Sequence, residues 1–245
     1  MSKNWGHGVT ATASQGRLTA RPSQTSPSAS VTTSGVQALR IERPNDALLY
    51  IPAGYQADQP AALAVMLHGA NGSAQNGLAL LRGFADAANL ILLAPASRDY
   101  TWDVITNQYG WDVSVIDQAL AQTFEHYAVD PARVAIGGFS DGASYAISVG
   151  LTNGDLFHHI IAFSPGFMAP ATQRDKPNIY ISHGTRDTVL PIDRCSRRIV
   201  PQLERAGYAV RYHEFEGPHT VPPEIVQEAI AWFMPIAGAN NASSH

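Results

Sequence analysis

Gly138-Phe139-Ser140-Asp141-Gly142 follows the pattern G-x-S-x-G. A strand-like run, Arg133–Phe139, leads into it, and a helix-like run, Ala143–Leu151, leads out. A sharp turn between strand and helix lifts a serine hydroxyl above a sheet, and small residues beside it are needed because the turn is tight and strained. The helix N-terminus beneath favours developing negative charge. Such a serine is suited to nucleophilic attack on a carbonyl through an acyl-enzyme intermediate.

A serine hydroxyl needs a base at neutral pH, and the base needs a carboxylate to fix its tautomer and stabilise its cation. With a strand–turn–helix nucleophile the chain order is serine, acid, histidine. Asp187 ends His183-Gly184-Thr185-Arg186-Asp187, the loop leaving the apolar run Ile179–Ser182. His219 ends Glu216-Gly217-Pro218-His219, which leaves Val210–Phe215. Asp193 falls inside a helix-like segment and Asp175 precedes the strand, so both are worse placed. Of the nine histidines, only His219 lies at the catalytic edge in the right order; His68 and His183 read as structural residues at strand ends. Two backbone amides should hold the oxyanion. One is that of Asp141. The other comes from His68-Gly69-Ala70-Asn71-Gly72, with Ala70 as the choice and Asn71 as the alternative.

Elements able to position these residues follow from hydrophobic pattern. Gln37–Glu42 and Ala47–Pro52 suggest an antiparallel pair around Pro44-Asn45-Asp46. Leu63–His68, Leu90–Ala94, Val134–Phe139, Ile160–Phe163 and Ile179–Ser182 read as buried parallel strands, and Val210–Phe215 as an eighth strand nearer the edge. Helical faces comprise Val113, Ile116, Leu120, Phe124 and Tyr127; Ile192, Cys195, Ile199 and Leu203; and Ile225, Ala229, Trp232 and Phe233. Alternation of strands with helices predicts an α/β fold, an eight-stranded, mostly parallel sheet flanked by helices. By this count the serine follows the fifth strand, Asp187 the seventh and His219 the eighth.

The chain has 245 residues and a net charge of −4, so one domain is expected and no electrostatic reason exists to bind nucleic acid. Its one cysteine, Cys195, excludes an intramolecular disulfide and reads as a core thiol. No run approaches the ~20 apolar residues of a membrane span, and no apolar leader follows Lys3, which makes the cytoplasm the expected compartment. Residues 1–35, rich in small and polar side chains, read as a flexible tail; 36–237 form the catalytic domain; 238–245 read as a frayed end. No H-E-x-x-H, P-loop or G-x-G-x-x-G pattern is present, so no metal or cofactor is expected.

Leu67-His68-Gly69, Gly137-Gly138-Phe139-Ser140-Asp141-Gly142, His183-Gly184-Thr185-Arg186-Asp187 and Gly217-Pro218-His219 together resemble the α/β-hydrolase superfamily over about residues 36–236. Within it the chain looks like the small bacterial carboxylesterases grouped with phospholipase/carboxylesterase, acyl-protein thioesterase and polyhydroxybutyrate-depolymerase-like proteins. That resemblance implies a serine esterase acting on a small-molecule ester, with thioesterase and polyester-depolymerase chemistry as alternatives on the same triad; the other alternative, a binding protein that keeps the fold without turnover, would have no need of all three triad residues. Acyl-protein thioesterases usually carry Gln where this chain has Asp141, and the similar dienelactone hydrolases use cysteine where it has Ser140. Ser164–Pro177 is too short to hold a cap domain, so an open site and short, accessible esters are expected. Tyr100, Trp102, Tyr109 and Trp111 either line an acyl or aryl pocket or pack their loop on the core. Trp102, Trp111 and Phe167 are the candidates for that pocket.

Overall fold

The computed structural model describes residues 10–22, 33–43, 46–106 and 108–234. Its strands are β1 (Gly35–Leu39), β2 (Ala47–Ile51), β3 (Ala61–Leu67), β4 (Leu90–Pro95), β5 (Val129–Phe139), β6 (His159–Phe163), β7 (Asn178–Gly184) and β8 (Val210–Phe215). Between and after them lie α1 (Ala74–Ala85), α2 (Asp103–Thr106), α3 (Trp111–His126), α4 (Asp141–Thr152), α5 (Ser196–Arg205) and α6 (Pro223–Phe233). The sheet runs β1-β2-β4-β3-β5-β6-β7-β8. β2 pairs antiparallel with β1 and β4, and every other pairing is parallel. The eight-stranded, mostly parallel sheet and the eight strand positions agree with expectation.

β3 explains why its sequence is apolar without alternation. Leu63, Val65 and Leu67 face the core under α3 and α4, whereas Ala62, Ala64 and Met66 face the one under α1 and α6. Both faces are covered, so both must be apolar. α1 was not expected, because Gly77 and Gly83 interrupt its pattern. The structure supplies the reason for Gly77: a side chain there would collide with the Met66 carbonyl of β3. α1 buries Leu78, Leu81 and Ala85, and the Asn76 side chain accepts from the Ser73 amide at its start.

The flexible-tail expectation fails for residues 10–22. A short 3₁₀ turn, Ala13–Gln15, leads into a segment that buries Ala13, Leu18 and Ala20. The Arg17 guanidinium donates to both oxygens of Asp155, just beyond α4, and to the Thr152 carbonyl. Asn153 accepts from the Leu18 amide and donates to the Gly16 carbonyl. Asp117 of α3 accepts from the amides of Thr19 and Ala20. A low content of large apolar residues misled here, because one leucine and backbone-directed polar contacts do the anchoring. Of the rest of that expectation, Gly35 already belongs to β1, while residues 1–9 and 23–32 and the C-terminal 238–245 lie outside the described residues. No helix among the described residues is long and apolar enough to cross a membrane.

Two aspartates tie the connection between β4 and α3. Asp112 accepts from the amides of Arg98 and Asp103, and Asp103 accepts from the amides of Gly110 and Asp112 and from the Tyr145 hydroxyl. Burial, then the negative charges of Asp103 and Asp99, push Asp112 up to about 7, against the two amides that lower it. A carboxyl whose pKa is raised on folding binds its proton more tightly in the fold. Its stabilising contribution is present at acid pH and is lost as pH rises from about 4 to about 7. Asp112→Asn is therefore expected to melt with a smaller decrease between about pH 5 and about pH 8 than the parent chain. Thermal denaturation over a pH series checks this, and an unchanged slope would contradict it.

Candidate active site

Ser140 sits between β5 and α4 with φ 57° and ψ −122°. A non-glycine residue at positive φ is strained and needs its surroundings to hold it there. Here the Ser140 amide donates to the Phe163 carbonyl of β6 at 2.9 Å, and its carbonyl accepts from Ala143 at 3.0 Å. Gly138 and Gly142 touch each other across the turn and pack on the end of β3, so a side chain at either would strike backbone. This is the physical content of the G-x-S-x-G spacing.

The loops after β7 and β8 bring Asp187 and His219 to the serine. The Ser140 hydroxyl lies 2.9 Å from His219 Nε2, and His219 Nδ1 lies 2.6 Å from Asp187 Oδ2. With Nδ1–H donating to the carboxylate, Nε2 is left to accept the serine proton. The His219 ring rests on Phe139, with 4.6 Å between ring centroids. Burial raises the Asp187 pKa, but the bond from His219 and the amides of Leu190 and Val189 outweigh it and hold the group below the ordinary carboxylate value. Those amides donate to Oδ1 at 2.8 and 2.9 Å, leaving Oδ2 for histidine.

His183 also reaches this carboxylate, a contact that sequence reasoning missed when it read the residue as structural. Its Nε2 lies 2.8 Å from the Leu190 carbonyl and 3.2 Å from Asp187 Oδ2, and Nδ1 lies 2.7 Å from the Ser196 hydroxyl. Burial lowers the His183 pKa and favours the neutral ring. The rivals are placed elsewhere: Asp193 pairs with Arg197, and Asp175 is exposed.

The proposed oxyanion donors come from two loops. Asp141 begins α4, where the first amides have no helical partner. In the loop after β3, the Asn71 amide already donates to the Tyr100 carbonyl at 2.6 Å, which leaves Ala70, exposed, as the better donor of that pair. His68 shapes this loop: its Nε2 accepts from the Ser97 amide and its Nδ1 bonds the Gly69 carbonyl, with burial lowering its pKa.

The aromatic pocket expectation needs correction. Trp102 is fully buried, stacked on Tyr145 with 5.1 Å between centroids, so it packs the loop on the core and lines no surface. Tyr109 is buried and donates to the Ala169 carbonyl. Half-buried Trp111 carries the Arg98 guanidinium over its ring at 4.0 Å. Phe167 is half-buried in the β6–β7 connection. That connection contains no helix and is pinned to α4. Ser144 Oγ accepts from Gly166 and Ser148 Oγ from Ala169, while each hydroxyl donates to the carbonyl four residues earlier. An apolar groove of about 310 Å³ between α1 and α6 is lined by residues such as Leu80, Phe84, Val221 and Val226, and by none of the three candidate catalytic residues.

A family model described as Phospholipase/Carboxylesterase matches residues 104–234, more than half of the 245-residue chain. The chain belongs to the phospholipase/carboxylesterase family. The match spans Ser140, Asp187 and His219. Esterase PE8 is similar in structure, with 26% sequence identity and a TM-score of 0.59 over 71% of this chain and 94% of its own. A phospholipase/carboxylesterase from Dyadobacter fermentans DSM 18053 shares 19% identity and a TM-score of 0.60, covering 82% and 99%. The fluorophosphonate-binding serine hydrolase F of Staphylococcus aureus shares 14% identity and a TM-score of 0.61, covering 78% and 92%. The last two likenesses speak for the fold alone, and that fold, in this family member, is the α/β-hydrolase fold. Comparison with curated proteins found no match.

Proposed function

We propose that the protein hydrolyses carboxylic esters through an acyl-enzyme intermediate on Ser140. The observation that carries the proposal is the continuous chain from the Ser140 hydroxyl through His219 to Asp187, at 2.9 and 2.6 Å. His219 Nε2 takes the serine proton as Oγ attacks the ester carbonyl carbon. The carbonyl oxygen becomes an oxyanion facing the amides of Asp141 and Ala70. Collapse of this intermediate breaks the bond to the alkoxy oxygen, and His219 returns the proton to the departing alcohol. Water then repeats the sequence: it gives a proton to His219, attacks the acyl carbon and releases the carboxylic acid with Ser140 restored.

Short, accessible esters fit the uncapped connection after β6. A lid hides apolar surface in water and opens at a lipid interface. Without one, rate should follow ordinary saturation as a short-chain ester passes its solubility limit.

Two measurements test this reading. An alkyl fluorophosphonate should add one group to the protein, mapped by mass spectrometry to Ser140, and a panel of p-nitrophenyl esters should be hydrolysed fastest at short acyl length. Labelling at a different serine, or none, would overturn the assignment. A jump in rate at the solubility limit would overturn the short-ester reading.

A further inference from the structure

Resting on that reading, we infer that Tyr100-Thr101-Trp102 is the positioning element of the oxyanion hole, with Thr101 as the residue that keeps the Asp141 carboxylate away from it. The two amides assigned to the oxyanion belong to loops after different strands, β3 and β5. Three consecutive residues of a third loop bond to both. The Tyr100 carbonyl accepts from Asn71, next to Ala70, at 2.6 Å. Trp102 Nε1 donates to the His68 carbonyl at 2.9 Å. Between them, the Thr101 hydroxyl donates to Asp141 Oδ2 at 2.7 Å.

The clamp is itself rigidly held. Thr101 and Trp102 are buried. Trp102 stacks on Tyr145 of α4 and lies against the His68 ring. The Asp103 amide, immediately after, is bound to Asp112. The segment thus fixes the spacing of the two donor loops, and donors work only if both lie about 3 Å from the same developing charge.

Thr101 has a second task that follows from the charge of its partner. Asp141 puts a carboxylate at the first residue of α4, where unpaired amides attract anions. Those amides include the one assigned to the oxyanion. A free carboxylate there would compete with the reaction's own negative charge. The threonine hydroxyl draws it toward the buried loop instead.

The test compares Thr101→Val, Thr101→Ser and the pair Thr101→Val/Asp141→Asn on a soluble p-nitrophenyl ester, with a boronic acid as transition-state analogue. Thr101→Val is expected to lower kcat roughly 10–100-fold with KM nearly unchanged, and to weaken boronic acid binding in parallel. Thr101→Ser restores the hydroxyl and should recover kcat. Neutralising the freed carboxylate in the pair should recover much of the loss. Melting curves of all variants separate this from general unfolding, since a merely structural loss would be shared by the pair and would not follow the charge at residue 141. A Thr101→Val protein with unaltered kcat, or one changed in KM alone, overturns the inference and leaves the esterase reading standing. A parent protein that neither hydrolyses esters nor labels at Ser140 overturns both.

Discussion

Asp187→Asn is expected to lower kcat by about four orders of magnitude while leaving the fold intact. Asp187 Oδ1 is committed to the amides of Val189 and Leu190, so only Oδ2 governs His219. An asparagine that keeps its oxygen toward those amides presents its NH₂ to Nδ1. The imidazole must then place its proton on Nε2, where it can no longer accept from Ser140. Ser140→Ala and His219→Ala should cost as much or more, on the order of 10⁴–10⁶-fold, and a double or triple replacement little beyond that, because the three groups act as one unit. Steady-state kinetics on one soluble ester decide the matter. Losses that multiply across the replacements would mean independent roles and would refute the triad. Near-normal kcat in Asp187→Asn would shift attention to the neighbouring contact from His183.

A chain beginning at residue 23 is expected to be much less stable than the full chain. Leu18 is buried at 1% exposure, and truncating a buried leucine to alanine alone costs about 2–5 kcal/mol. Deletion also strips Asn153, fully buried, of the Leu18 amide and the Gly16 carbonyl. It leaves Asp155 without Arg17 and Arg21. Each kcal/mol is worth roughly 2–4 °C of melting temperature in a domain of this size, so the deletion should lower it by about 10 °C or more. Leu18→Ala should give a smaller drop in the same direction. Melting temperatures within two or three degrees of the full chain for both would show that the segment contributes nothing. Asp155→Ala adds a third comparison, since it breaks the ionic contacts and leaves Leu18 in place.

These two cases mark where sequence was informative and where it was not. Ser140 and Asp187 could be placed because each follows a continuous apolar strand, and His219 because it follows the alternating edge strand Val210–Phe215 and comes last in the chain order. Glycine spacing was equally readable, since tight backbone contact at Gly138 and Gly142 admits no other residue. Residues 10–22 were unreadable for the opposite reason. Their anchoring is made by backbone amides and by Arg17 meeting partners far along the chain, Asp117, Asn153 and Asp155, which leaves no local period. α1 was hidden because Gly77, a poor helix former, is dictated by its contact with Met66. Trp102 was mistaken for a pocket residue because an aromatic side chain gives no sign in sequence of whether it faces a ligand or a neighbouring ring. Thr101 gave no signal at all: its significance depends wholly on the carboxylate across from it.

The hydroxyls along α4 have a consequence for how the connection after β6 could be exchanged. Ser144 and Ser148 each spend their hydrogen on the helix backbone and offer a lone pair to an amide of the β6–β7 connection. Because they are one helical turn apart, the path of that connection is read off the pitch of α4. A loop of different length, transplanted from a relative, would meet two buried oxygens whose spacing it does not match. A replacement for that connection would therefore have to bring its own partners for Ser144 and Ser148, or change both helix positions with it.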